Sequence, residues 1–169
     1  MALKPVTAGG LLKDVNDNFA DLGPLSGVDG LGSLRVARFT FDTAGVDSAG
    51  VSNKTAAAHG TGVTLPQYAL VVGGFVDVNT AFDSAAHTAT IAISVQGAND
   101  IITATAVGAT GSPFGSINRK AIVPKANTPE STSIKTTTAK EITCTVAVQA
   151  LTAGKLTGYL YFVEGIASA

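Results

Sequence analysis

Tryptophan is absent from this 169-residue chain, cysteine and methionine occur once each, and only 14% of the residues are charged. Each shortage excludes something. A soluble domain usually carries roughly 25% charged residues, and a free-standing enzyme of this size is expected to show more surface charge for solubility. The single cysteine, Cys144, excludes an intramolecular disulfide. Together with the opening MALKPVTAGG, which lacks the apolar core of a signal peptide, it leads to the expectation of a reducing cytoplasm as the place of synthesis. No apolar run is long enough to span a bilayer. The net charge is -1, with basic and acidic residues mixed along the chain. There is no basic stripe to neutralise phosphates and no polybasic patch for anionic lipid, so neither nucleic acid nor membrane is expected as a partner.

Catalytic chemistry is equally scarce. His59 and His87 stand far apart in sequence, and no His/Cys spacing resembles a zinc site. His59 reads as a loop residue and His87 as a turn residue. Asp77 is the most site-like carboxylate, yet no partner acid accompanies it, and an outward strand residue or hydrogen-bonded ladder end is the better reading. GATGSPFGS (108–116) and TAGKL (152–156) lack the full pattern of a phosphate loop and read as turns. No G-x-S-x-G elbow activates a serine. Asn53-Lys54-Thr55 matches a glycosylation sequon of the kind chance produces in a Thr-rich chain, and Cys144 alternates with core residues as a small buried hydrophobe would. The expectation is a non-enzyme with no catalytic residue, no metal site and no cofactor.

What is present is small, apolar and β-forming. Hydrophobic residues reach 46%, and the 19 glycines punctuate Thr- and Val-rich segments. Period-two patterns predict strands over 34–41, 69–79, 88–96, 141–149 and 155–164. A two-residue hairpin at Gly73-Gly74 is open, but a bulge or close backbone approach within one strand fits better. Residues 141–164 read as a C-terminal hairpin around ALTAGK, whereas IITATAV (101–107) is ambiguous and leans to a short helix or turn. Alternation places Ile91, Ile93, Val95, Ile142, Val146, Val148, Leu160 and Phe162 inward. The stretch 44–62 is biased to small residues and carries no strand assignment. The fold class expected is mainly β, an antiparallel β-sandwich or jelly roll over residues 32–169.

Residues 1–31 differ. Leu11, Leu12, Val15, Phe19 and Leu22 recur at helical spacing until Gly23-Pro24 stops them. They predict an extended arm with one short amphipathic helix, followed by a linker. A helix this short is marginal alone in water, so this stripe is the candidate partner-binding segment. A second candidate lies between Ser84 and Asn118, where Asp100 is the only Asp, Glu, Lys or Arg. Charge depletion marks the centre of a protein interface, although a plain Thr/Ala-rich sheet would look the same.

LPQYALVVGGFVDVNTAFDS (65–84), TATIAISV, RKAIVP (119–124), KTTTAKEITCTV (135–146) and ALTAGKLTGYLYFVE (150–164) together resemble the β-domain of tailed-bacteriophage virion proteins, and VNDNFADL resembles the short helix that opens phage fibre and decoration subunits. The resemblance spans roughly residues 61–164. It implies a head decoration (cement) protein: a β-sandwich, commonly trimeric, docked on the major capsid protein at the capsid exterior and made in the host cytoplasm. The alternative it leaves open is a receptor- or glycan-binding head or tail fibre module. A glycan site needs exposed aromatics beside Asp, Asn or Arg, and the candidates are Tyr68, Phe114, Tyr159 and Tyr161.

Overall fold

The computed structural model describes residues 34–124 and 133–164. All belong to the second of two units into which the chain divides, Met1–Ser33 and Leu34–Ala169. Leu11, Leu12, Val15, Phe19 and Leu22, with the helix expected there, lie outside the described residues.

The strands are β1 (Leu34–Asp42), β2 (Ala58–Leu65), β3 (Ala69–Ser84), β4 (Thr90–Ser94), β5 (Ile102–Ala106), β6 (Arg119–Ile122), β7 (Ile134–Lys135), β8 (Lys140–Ala147) and β9 (Leu151–Glu164). They form an antiparallel β-sandwich. One sheet has the order β1-β9-β3-β6, with β7 also on β3; the other runs β2-β8-β4-β5. Alternation drives this arrangement, because each sheet has an apolar face to bury and, among the described residues, the other sheet covers it. Phe39, Phe41, Val76, Val78, Leu156, Leu160 and Phe162 from the five-stranded sheet share one core with Ile91, Ile93, Ile142, Cys144 and Val146 from the four-stranded sheet. Phe41 bridges the layers, its ring centroid 6.0 Å from Phe82 and 5.8 Å from the His59 ring.

The bulge expected at the paired glycines is present. The β3–β9 register shifts between Val71 and Gly73, which moves the inward set from Ala69 and Val71 to Val76 and Val78. A Cβ on Gly74 would collide with the Tyr159 carbonyl oxygen of β9, so only glycine permits the two backbones to approach there.

Four expectations are corrected. Residues 102–106 form strand β5, not a helix or turn, because β4 pairs them through Thr90↔Ala106 and Ile91↔Thr105; a partner strand decides the conformation of so short a segment. Residues 141–164 are not a hairpin. β8 belongs to the four-stranded sheet and β9 to the five-stranded one, so 148–150 carry the chain across the sandwich. Val148 turns that corner at φ 70° and is 75% exposed, and it is no part of the core. The other seven residues placed inward are buried. Finally, 44–62 holds an ordered loop, with a Val46↔Ser52 bridge, and the start of β2.

Candidate binding surfaces

The groups that sequence singled out for chemistry are held in structural roles. His59 is not a loop residue: it sits fully buried on β2, opposite Cys144 of β8. Its Nδ1 lies 3.0 Å from Asp47 Oδ2 and its Nε2 lies 2.9 Å from the Thr55 carbonyl oxygen, pinning the 43–57 loop to the sandwich. Asp47 Oδ1 accepts the Val51 and Ala49 N–H groups. The Val51 N–H, with His59 and the Ala49 N–H, holds the Asp47 carboxyl below its ordinary range. His87 is the turn residue expected, at φ 56° and exposed beside Asp83. Burial pushes the Cys144 thiol up to about 12, which suits an inert core side chain. Asn53 of the sequon is buried and donates its Nδ2 to the Asp42 carbonyl, so a glycan has no access to it. Asp100 is buried and accepts the N–H groups of Val95, Gln96 and Gly97. The one charge of the 84–118 stretch is therefore spent inside a turn. Among the described residues, no three or more His, Cys, Asp or Glu side chains converge as metal ligands.

Two outer faces remain. On the four-stranded sheet, register sets Ala58, Thr145 and Ala92 in one row and Gly60, Thr143 and Ser94 in the next, with Ala147, Thr90 and Ala106 across a third. The side chains are short and uncharged. Glu141, at the end of β8, accepts the Gly62 N–H at 2.6 Å. The surface dips into a shallow depression of about 520 Å³ lined by Thr90, Ala92, Ser94, Ala104, Thr143 and Thr145. This is the charge-depleted segment seen in sequence, joined in space by the outward residues of β8.

The outer face of the five-stranded sheet is different. One row across β1, β9, β3 and β6 reads Arg38, Tyr159, Phe75 and Ala121, and the next reads Thr40, Thr157, Asp77 and Arg119. Phe75 and Tyr159 stack with centroids 4.6 Å apart, and Tyr161 meets Phe75 edge-on at 6.2 Å. The Arg119 guanidinium lies 5.0 Å from the Phe75 centroid and donates through Nε and Nη2 to the two oxygens of Asp77. That pairing holds the Asp77 carboxyl below its usual value. Exposed Leu34 and Val36 extend the face along β1. Of the aromatic candidates, Tyr159 and Tyr161 are brought together here. Tyr68 stands elsewhere, under the Lys135 ammonium. Phe114 is fully buried against Phe82 and is removed from the candidates. Sequence reading missed Phe75, Arg38 and Arg119, because only the strand register reveals that they share one face.

No family model and no characterised protein matches the sequence. Solved structures do. The chain superposes on a chain of the cyanophage Pam1 capsid asymmetric unit with a TM-score of 0.55 and 18% identity, covering 80% of this chain and 89% of that one. For the capsid of Ralstonia phage GP4 the values are 0.53 and 17%, over 83% and 90%. For the acid-stable capsid of Helicobacter pylori bacteriophage KHP30 they are 0.52 and 12%, over 78% and 87%. At such identities the likeness is one of fold: these chains share the antiparallel sandwich.

Proposed function

We propose that this protein is a non-enzymatic structural component of a phage virion, which docks on the major capsid protein lattice from outside and stabilises the head. The observation that carries this reading is the outer face of the four-stranded sheet. Rows of short Ala, Ser and Thr side chains let another backbone approach closely, and the one charge at the margin of these rows, the Glu141 carboxylate over Gly60, is already engaged by the Gly62 N–H. The fold shared with chains of three phage capsids supports the same setting. A homotrimer is the expected oligomer, and repetition over a shell multiplies weak contacts by avidity. A protein that binds the shell but not its free subunits stabilises the shell by linkage, about 2.7 kcal/mol per site at a concentration 100 times Kd.

The test compares the melting of shells with and without the protein, then repeats attachment in roughly molar salt, where exposed ion pairs are screened. Decorated shells melt higher and keep the protein in salt. Equal melting, with cell-surface binding by the free protein, favours the alternative of a receptor- or glycan-binding fibre module, for which the aromatic face is the supporting observation.

A further inference from the structure

The two outer faces of a sandwich point in opposite directions, so a protein seated on a lattice by its four-stranded sheet presents the five-stranded sheet to the outside. We propose that the Arg38–Tyr159–Phe75 row, with Tyr161 beside it, is a binding site for a saccharide unit that carries a carboxylate. The residues of this face define the site whether or not the protein docks by its other sheet.

Three features define the ligand. The first is the aromatic row. Phe75, Tyr159 and Tyr161 are partly exposed, with Phe75 of β3 packed on both tyrosines of the neighbouring strand β9. Neither tyrosine hydroxyl has a hydrogen-bond partner among the described residues, so both are available to a ligand. A pyranose ring offers a C–H face to stack on such a ring and hydroxyls to meet the phenols. The second is a notch. Gly73 lies opposite Tyr161 in the register, and even an added Cβ there would come no closer than 4.0 Å to the Ile122 carbonyl oxygen. A ring can therefore lie beside Tyr161 without meeting a side chain from β3. The third is charge. Arg119 is engaged by Asp77, whereas Arg38 is exposed, stands directly across from Tyr159 and has no ion-pair partner among the described residues. A free guanidinium next to an aromatic face is a fork for a carboxylate. It selects an acidic sugar over a neutral one. Arg38 flanks the aromatic rings from β1 and Arg119 flanks them from β6, so a ligand small enough to stack on Tyr159 meets a cation at the edge of the ring.

The experiment titrates the full chain with trigalacturonate and with sialyllactose, using lactose as the neutral comparator and octaglutamate as the peptide comparator. Binding is read from NMR shifts of the aromatic side chains. The acidic sugars are expected to shift Phe75, Tyr159 and Tyr161 with roughly millimolar affinity, and lactose to bind about tenfold more weakly. Arg38→Gln, at an exposed position that leaves the fold intact, removes the preference for acidic over neutral sugar. Tyr159→Ala weakens every sugar. The proposal is overturned if no sugar shifts these rings, if acidic and neutral sugars bind the wild type equally, or if Arg38→Gln keeps the preference. Tighter binding of octaglutamate than of either acidic sugar at the same rings overturns it too, and assigns the face to an acidic protein segment.

Discussion

The two outer faces of this sandwich are built by the same device, strand alternation, and they come out chemically opposed. Across β2, β8, β4 and β5 the outward residues are mostly Thr, Ala, Ser and Gly, and the surface is low, with the Glu141 carboxylate at its margin over Gly60. Across β1, β9, β3 and β6 they include stacked aromatics flanked by two arginines. The inner faces show no such contrast, since both are aliphatic or aromatic and buried. Selection for packing therefore accounts for the core, while the outer faces need separate explanations. A face of short side chains is suited to broad, close contact. A face of tall, donor-bearing side chains is suited to gripping one small group.

The largest expected effect contrasts neighbours on a single strand. Ile93 is fully buried, and Ile93→Asp leaves a carboxylate with no partner in the core, a loss of more than about 4 kcal/mol that should prevent folding. Thr90→Asp, on the opposite side of β4, should leave the far-UV circular dichroism and the melting temperature close to wild type. A folded Ile93→Asp protein would mean that the register separating inner from outer face is wrong.

The next effect lies on the docking face. Thr145→Asp places a charge in the middle of the small-residue rows, and attachment to bare shells should fall by about a hundredfold, in line with the cost of desolvating an unpaired charge. Attachment of this variant at wild-type affinity would move the docking surface elsewhere on the molecule.

A third, smaller effect is pH-dependent. Asp42, Asp47, Asp77 and Asp83 are all held below their ordinary value of 3.8. Carboxyls depressed in the folded state contribute stability that is present above the unfolded value and lost as pH falls through the folded one. The melting temperature should therefore decline below about pH 4. Asp47→Asn frees the 43–57 loop from His59, and the gap between wild type and variant should shrink as pH drops through that range. A gap constant from pH 7 to pH 2 would show that the Asp47 charge has no part in holding the loop.

The smallest effect concerns the aromatic face. Tyr159→Ala removes one stacked pair at a partly exposed site, which costs about 1 kcal/mol, and it should leave shell attachment unchanged. A matching loss of attachment would mean that both faces contact the lattice.

Much of this fold is legible in the sequence. TATIAISV and EITCTV alternate so regularly that Ile91, Ile93, Ile142 and Val146 could be placed inward from pattern alone, and the glycine pair in β3 announced its bulge. The failures share a cause. Which strand pairs with which is decided by contacts far apart in the chain, so 141–164 read as a hairpin turning at ALTAGK, where the chain is already in β9, and β5 leaned to a short helix or turn. His59 was misread for the same reason, since its burial depends on Phe41, Asp47 and β8 closing around it. The face of small side chains was half visible, because β4 and β5 lie in one charge-depleted stretch. The aromatic face was less so, because Arg38, Phe75, Arg119 and Tyr159 come from four separated segments that only the register aligns.

The central claim is that the two faces have different partners, and residue-level footprinting of shell-bound protein tests it most directly. Hydroxyl-radical labelling of the protein on assembled shells, compared with the free protein, should show protection along β4 and β8 around Thr90, Thr143 and Thr145. Tyr159, Tyr161 and Phe75 should label as strongly as they do in solution. Protection of the three aromatic residues, with β4 and β8 left open, would contradict the account.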